Sequence, residues 1–169
     1  AAVLAEIAGE VFTIERHGTL ASKASIALQD AGFGNVHVLH ADGTKGWAEE
    51  APFEAILVSA GAPEVPESLK SQLAIGGRLV VPVGRDPRAQ ELVRVIRREG
   101  GRFETEDLAD VRFVPLIGEQ GWDGKSGAVR PEPSRVAERR ARDDGALPGL
   151  IREEGRCFER VETAPLGGL

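Results

Sequence analysis

The chain has 169 residues, 41% of them hydrophobic and 28% charged, which suits one soluble globular domain with a tail. A net charge of −6 leaves no basic stripe for phosphates, which argues against nucleic-acid binding. No apolar run approaches the roughly 18–20 residues of a membrane span, and a single cysteine, Cys157, fits a reducing compartment, so a cytoplasmic location is expected.

In chain order, residues 1–8 are Ala-rich without a β-branched run and close at Gly9, which predicts a short helix. Acidic Glu6 and the lack of a basic stretch set this segment apart from a signal peptide. Val11 to Ile14 is a continuous apolar run, the pattern of a strand buried on both faces, and it ends in Glu15. Leu20, Ala24, Ala27, Leu28 and Ala31 form a helical stripe closed by Gly32. A strand at Val36 to Leu39 runs into His40-Ala41-Asp42-Gly43, and another at Phe53 to Val58 opens into Ser59 to Pro63. Val65 to Leu73 reads as a short helix and Arg78 to Gly84 as a strand, with Pro82 marking a bulge or strand end. Glu91 to Arg98, Arg102 to Leu108 and Val111 to Leu116 then predict three strands without long helices, hence antiparallel pairing. Residues 1–122 form the main domain, 123–149 read as a linker or disordered, and 150–169 as the start of a further domain. The whole net charge sits on residues 1–122, which carry 12 basic and 18 acidic side chains.

Acids and glycines at successive strand ends are where an open parallel sheet binds its ligand, so the pattern points to a nucleoside cofactor. Glu15 stands where an acid accepts hydrogen bonds from ribose hydroxyls, although a surface Glu at a strand end has the same appearance. Asp42 and Gly43 suit an amino-group acceptor beside a backbone that approaches a flat ring closely; Asp-Gly is also a common turn dipeptide. His17, His37 and His40 have no evident partner acid or nucleophile, and no His/Cys/acid spacing suggests a metal. Trp47 and Trp122 read as packing anchors. Ser59 lacks the glycine context of a nucleophile elbow.

Several segments together carry a resemblance. They are Val11-Phe12-Thr13-Ile14-Glu15-Arg16, Asn35-Val36-His37-Val38, Asp42-Gly43-Thr44, Gly46-Trp47, residues 51–58, Ala62-Pro63-Glu64-Val65-Pro66, Gly76-Gly77-Arg78-Leu79-Val80 and Val111-Arg112-Phe113-Val114-Pro115-Leu116. In continuous order over about residues 1–122 they resemble protein-L-isoaspartate O-methyltransferases. The resemblance implies an α/β fold of the S-adenosylmethionine-dependent methyltransferase type, Rossmann-like, with a mostly parallel sheet and an antiparallel end. It implies methylation of the α-carboxylate of isoaspartyl residues in damaged proteins, with S-adenosyl-L-methionine as donor. Carried over by position, Glu15 would hold the ribose, and Asp42 with Gly43 would meet the adenine. Arg112, Phe113 and Val114 would line the substrate channel, and Ile117 and Gln120 would touch cofactor or peptide.

The family's Gly-rich loop, the strand before it and the segment gripping the isoaspartyl group would all precede Ala1. The chain is therefore expected to be part of a longer protein with its catalytic residues upstream, inactive as residues 1–169 alone. Without that strand, the pair at Val11 and Val36 would lose its bridge to those at Phe53 and Arg78. Leu150 to Glu154, Phe158 to Val161 and Leu166 to Leu169 are similar to the lead-in of erythromycin-esterase-like domains, which implies such a domain downstream. Two alternatives stand beside the repair enzyme: a small-molecule methyltransferase of the same fold, and a truncated non-catalytic scaffold.

Overall fold

The computed structural model describes residues 1–86 and 88–124, and the backbone of Glu159–Arg160. A short helix α1 (Ala2–Ala5) leads into strand β1 (Val11–Glu15), whose inward residues Val11, Thr13 and Ile14 are buried. Helix α2 (Gly18–Asp30) then returns the chain to β2 (Val36–His40), which pairs parallel to β1 with Glu15 opposite His40. The helix ends as its sequence predicts. The Phe33 N–H reaches the Leu28 carbonyl and the Gly32 N–H reaches that of Gln29, with Gly32 at φ +86°. That double bond is a Schellman stop, and it needs a residue tolerant of positive φ. The predicted apolar stripe is displaced, however. Ala21 is the buried position and Ala24, Ser25 and Leu28 are half-buried, whereas Leu20 and Ala27 are exposed. The helix presents small residues to the sheet, which lets it lie close.

The second layer of order begins at β3 (Phe53–Leu57), followed by α3 (Glu67–Ser71) and the long β4 (Leu73–Asp86). β3 and β4 run parallel, but the register jumps from Phe53 opposite Leu73 to Ala55 opposite Arg78. Gly76, at φ +81°, and Gly77 sit in the extra loop. A Cβ on Gly77 would lie 2.8 Å from the Phe53 carbonyl oxygen. The predicted helix to Leu73 is thus shorter, because Leu73 is already a fully buried strand residue.

β5 (Ala89–Arg97) and β6 (Phe103–Val111) extend the sheet antiparallel, giving the order β6-β5-β4-β3-β7, where β7 is Glu159–Arg160. β6 is an edge protected by charge: Glu104, Glu106, Asp107 and Asp110 lie on it, with Glu106 paired to Arg94 and Glu104 to Arg98. The Arg98 hydrogen bond holds the Glu104 carboxyl below the usual carboxylate range. The expected third strand over Val111 to Leu116 is not a ladder strand. β6 ends at Val111, and the next residues peel away to make an isolated bridge between Pro115 and Gly61.

The core joins Ile14 of β1 to Phe53, Leu69, Leu79, Val81 and Leu116. Even so, β1 and β2 form their own two-stranded sheet and are not hydrogen-bonded to β3. This is the expected break. β7 pairs antiparallel with β3 at this side, Ile56 opposite Arg160, and lies beside β1. The linker expected over 123–149 and the further domain over 150–169 fall outside the described residues, apart from Asp123, Gly124 and β7.

Candidate functional site

Parallel pairing puts the C-terminal ends of β1 and β2 side by side, which sets Glu15 next to the turn that carries Asp42 and Gly43. Glu15 is only 2% exposed. Its Oε1 accepts the His17 backbone N–H at 2.6 Å, and Oε2 takes no hydrogen bond from a described residue. A carboxylate this buried needs further donors, and ribose hydroxyls would supply them. The residues therefore fit the sugar of a nucleoside cofactor.

Asp42 is more heavily engaged. Its Oδ1 accepts both the backbone N–H (2.8 Å) and the hydroxyl (3.0 Å) of Thr44, and its Oδ2 accepts the N–H of Glu119 at 2.9 Å. A carboxylate oxygen has two lone pairs, so Oδ2 retains one acceptor position. Gly43 is buried beside it.

The three histidines are used structurally. His40 Nε2 donates to the Arg16 carbonyl at 3.0 Å, and its ring lies where a Cβ on Gly18 would come within 3.0 Å. His37 meets Glu10 at 2.6 Å and stacks on Phe12, and His17 is exposed at the start of α2. Trp47 sits edge-on to Phe12, and buried Trp122 donates its indole N–H to the Gly61 carbonyl at 2.8 Å. Both tryptophans pack. Ser59 is half-buried after β3, and Cys157 lies outside the described residues.

The segment 112–122 comes back across the strand ends. Gly61 holds it by two bonds: its N–H donates to the Val114 carbonyl (2.8 Å), and its carbonyl accepts the Leu116 N–H (2.9 Å). Gln90, 3% exposed, then clamps Phe113. Its Oε1 accepts the Phe113 N–H at 2.7 Å and its Nε2 donates to the Phe113 carbonyl at 3.1 Å. Held this way, Arg112 and Val114 are exposed and Phe113 is half-buried. Ile117 forms a bridge with Trp122. Gln120 turns its amide to Ser68 in the first turn of α3, donating to Oγ at 2.5 Å and accepting the Ser68 N–H at 3.2 Å. The structure thus brings Glu15, Asp42, Gly43, Ile117 and Gln120 to one region, with Arg112 to Val114 leading into it.

Sequence reasoning missed Thr44, Ser68 and Gln90, which hold this segment in place, and Gln72, which holds the turn before Trp47. All four are buried polar side chains. The available signal was polarity at inward positions, such as Gln90 on the core-facing side of β5.

Among the described residues there is no group of three or more His, Cys, Asp or Glu able to hold a metal, and no helix long and apolar enough to cross a membrane.

Comparison with known proteins points to one family. A family model described as protein-L-isoaspartate(D-aspartate) O-methyltransferase matches residues 1–121. The protein-L-isoaspartate O-methyltransferase 1 of Rhodopseudomonas palustris strain HaA2 is 59% identical over 133 residues, 79% of this chain and 53% of that relative. The protein-L-isoaspartate O-methyltransferase of R. palustris strain ATCC BAA-98 / CGA009 is 55% identical over 86% of this chain and 62% of its own length. The chain therefore spans little more than half of these curated relatives. A solved protein-L-isoaspartate O-methyltransferase superposes with a TM-score of 0.60 at 27% identity, covering 65% of this chain and 35% of that one. A Plasmodium falciparum structure, described as a candidate methyltransferase of this kind in complex with S-adenosyl-L-homocysteine, gives 0.53 at 28% identity, covering 62% and 50%.

Proposed function

The chain belongs to the protein-L-isoaspartate(D-aspartate) O-methyltransferase family, and on that premise we propose that it forms the cofactor- and peptide-facing part of a protein repair enzyme. The reaction is methyl transfer from S-adenosyl-L-methionine to the α-carboxylate of isoaspartyl residues in aged proteins. The observation that carries the reading is the buried Glu15 carboxylate, one oxygen open, beside Asp42 and Gly43 at adjoining parallel strand ends.

When bound, the cofactor would supply an electrophilic sulfonium methyl for a carboxylate oxygen of the substrate, its sulfur keeping the S–CH3 bonding pair. No proton changes hands, because a carboxylate is already ionised at neutral pH. The protein's work is placement and exclusion of water, which explains why the site needs neither an acid–base pair nor a metal. In this reading Glu15 would hold the ribose hydroxyls, and Asp42 with Gly43 would meet the adenine, with the remaining lone pair of Asp42 Oδ2 available to its amino group. Arg112, Phe113 and Val114 border the peptide, with Ile117 and Gln120 at the junction of peptide and cofactor. Gln90 and Gly61 hold the backbone of Phe113 and Val114, and the exposed residues Arg112 and Val114 are left to border a peptide.

A cytoplasmic setting, which the single cysteine supports, and an erythromycin-esterase-like domain following Leu150, which the resemblance of the tail supports, belong to the same reading. Limited proteolysis and mass mapping of the full-length product would reveal that second domain.

The test is substrate discrimination by the full-length protein. An isoaspartyl peptide should be methylated strongly and its aspartyl counterpart hardly at all. Equal rates on both, or preference for a small carboxylate, would replace the repair reading with a small-molecule methyltransferase; no transfer at all would favour a scaffold. Glu15→Ala should weaken S-adenosyl-L-homocysteine binding in calorimetry by roughly 1–3 kcal/mol, the scale of charge-assisted hydrogen bonds. Unchanged affinity would remove Glu15 from the ribose.

A further inference from the structure

Asp42 and Thr44 lie at the cofactor end of the site, yet most of their hydrogen bonds go elsewhere. Asp42 Oδ2 accepts the Glu119 N–H, and the Thr44 hydroxyl, after donating to Asp42 Oδ1, accepts the Gln120 N–H at 2.9 Å. Thr44 is completely buried. Two successive backbone donors of the loop 117–121 are therefore fastened to the turn that follows β2. The loop lies tight against that turn. A Cβ on Gly118 would stand 2.2 Å from Asp42 Oδ1 and 2.5 Å from Thr44 Cγ2, and one on Gly121 would stand 3.0 Å from Thr44 Cγ2. The far side of the loop is fixed independently, by the Gln120 amide on Ser68.

We infer that Asp42 and Thr44 are positioning residues that couple cofactor binding to the order of the peptide-facing loop. The inference rests on the functional reading above and deepens it. A single carboxylate oxygen, Asp42 Oδ2, serves two donors: the Glu119 N–H from the loop and the adenine amino group from the cofactor. Fixing the carboxylate from one side holds it for the other, so ordering by the cofactor is entropy the peptide no longer has to supply. Coupling of this kind is reciprocal, and it favours cofactor binding ahead of peptide. Thr44 extends the link without touching the cofactor, since its hydroxyl is consumed by Asp42 and Gln120.

The experiment uses the full-length protein and two readouts. In amide hydrogen exchange, S-adenosyl-L-homocysteine should slow exchange at Glu119 and Gln120 in the wild type. In Thr44→Val, which keeps the volume but removes the hydroxyl, the Gln120 amide should exchange faster and respond less to S-adenosyl-L-homocysteine. Kinetically, Thr44→Val should raise the KM for an isoaspartyl peptide at saturating cofactor by about tenfold, the equivalent of one lost hydrogen bond. Its kcat should change far less than this KM, and Thr44→Ser should restore the peptide KM. Cofactor binding that leaves the Glu119 and Gln120 amides unchanged overturns the coupling while the functional reading survives. So does a Thr44→Val enzyme with wild-type peptide KM. Failure of the wild type to bind S-adenosyl-L-homocysteine removes the functional reading, and the coupling with it.

Discussion

Two buried glutamines do the work of absent strands. Gln90 presents an acceptor and a donor to the two backbone groups of Phe113, as a neighbouring strand would. Gln72 does the same for the turn before Trp47, accepting the Trp47 N–H and donating to the Lys45 carbonyl, both at 3.0 Å. Each amide is seated against a glycine. A Cβ on Gly61 would fall 2.1 Å from Gln90 Nε2, and one on Gly46 would fall 2.1 Å from Gln72 Oε1. The glycine leaves the space and the amide fills it with hydrogen bonds. Gln90→Leu keeps the bulk and removes both partners of Phe113. It should destabilise the fold by about 1–3 kcal/mol, the cost of leaving part-buried backbone groups unsatisfied. Denaturant melts of wild type and variant would show it; equal midpoints would mean that water replaces the amide at no cost.

At the scale of elements, the parallel strands were legible because each is a short apolar run, although only β1 is buried along most of its length. The Val11, Val36 and Phe53 runs all form strands close to their expected limits. The helix stop at Gly32 was legible for the same local reason, since positive φ selects glycine. The stretch from Val111 to Leu116 was not. Its composition is strand-like, yet its backbone partners are a glycine in the loop after β3 and a glutamine side chain, which no periodicity records. The α2 stripe failed in another way. The 3.6-residue period fixes which residues share a face, but Leu20 lies off the Ala21, Ala24, Leu28 face that the sheet selects by close approach. Within the site, Glu15, Asp42 and Gly43 were visible as acids and a glycine at strand ends. Thr44, Ser68 and Gln90 act through buried hydrogen bonds, which become visible only when the segments they join are adjacent.

Across the whole molecule, hydrogen bonding and packing divide the fold differently. The core is continuous from Ile14 of β1 to Val95 of β5, while the backbone ladders are split into β1–β2 and the sheet of β3 to β7. A two-stranded pair is marginal by its own ladder, so β1–β2 depends on side-chain burial through Val11, Thr13 and Ile14. β4 has ladder partners on both sides over much of its length and carries Leu79 and Val81, both fully buried. Opening free energies in native-state hydrogen exchange should differ accordingly. In residues 1–169, the β1 and β2 amides should exchange through a sub-global opening, ahead of those of Leu79, Val81 and Val93. A ligand that bridges Glu15 and Asp42 would bind only the closed form, so S-adenosyl-L-homocysteine, wherever it binds, should narrow that gap. The measurement is residue-resolved exchange at low denaturant. Identical opening free energies and denaturant slopes for β1 and β4 would mean that the shared core alone makes the fold one cooperative unit, and that the split in the ladder carries no energetic weight.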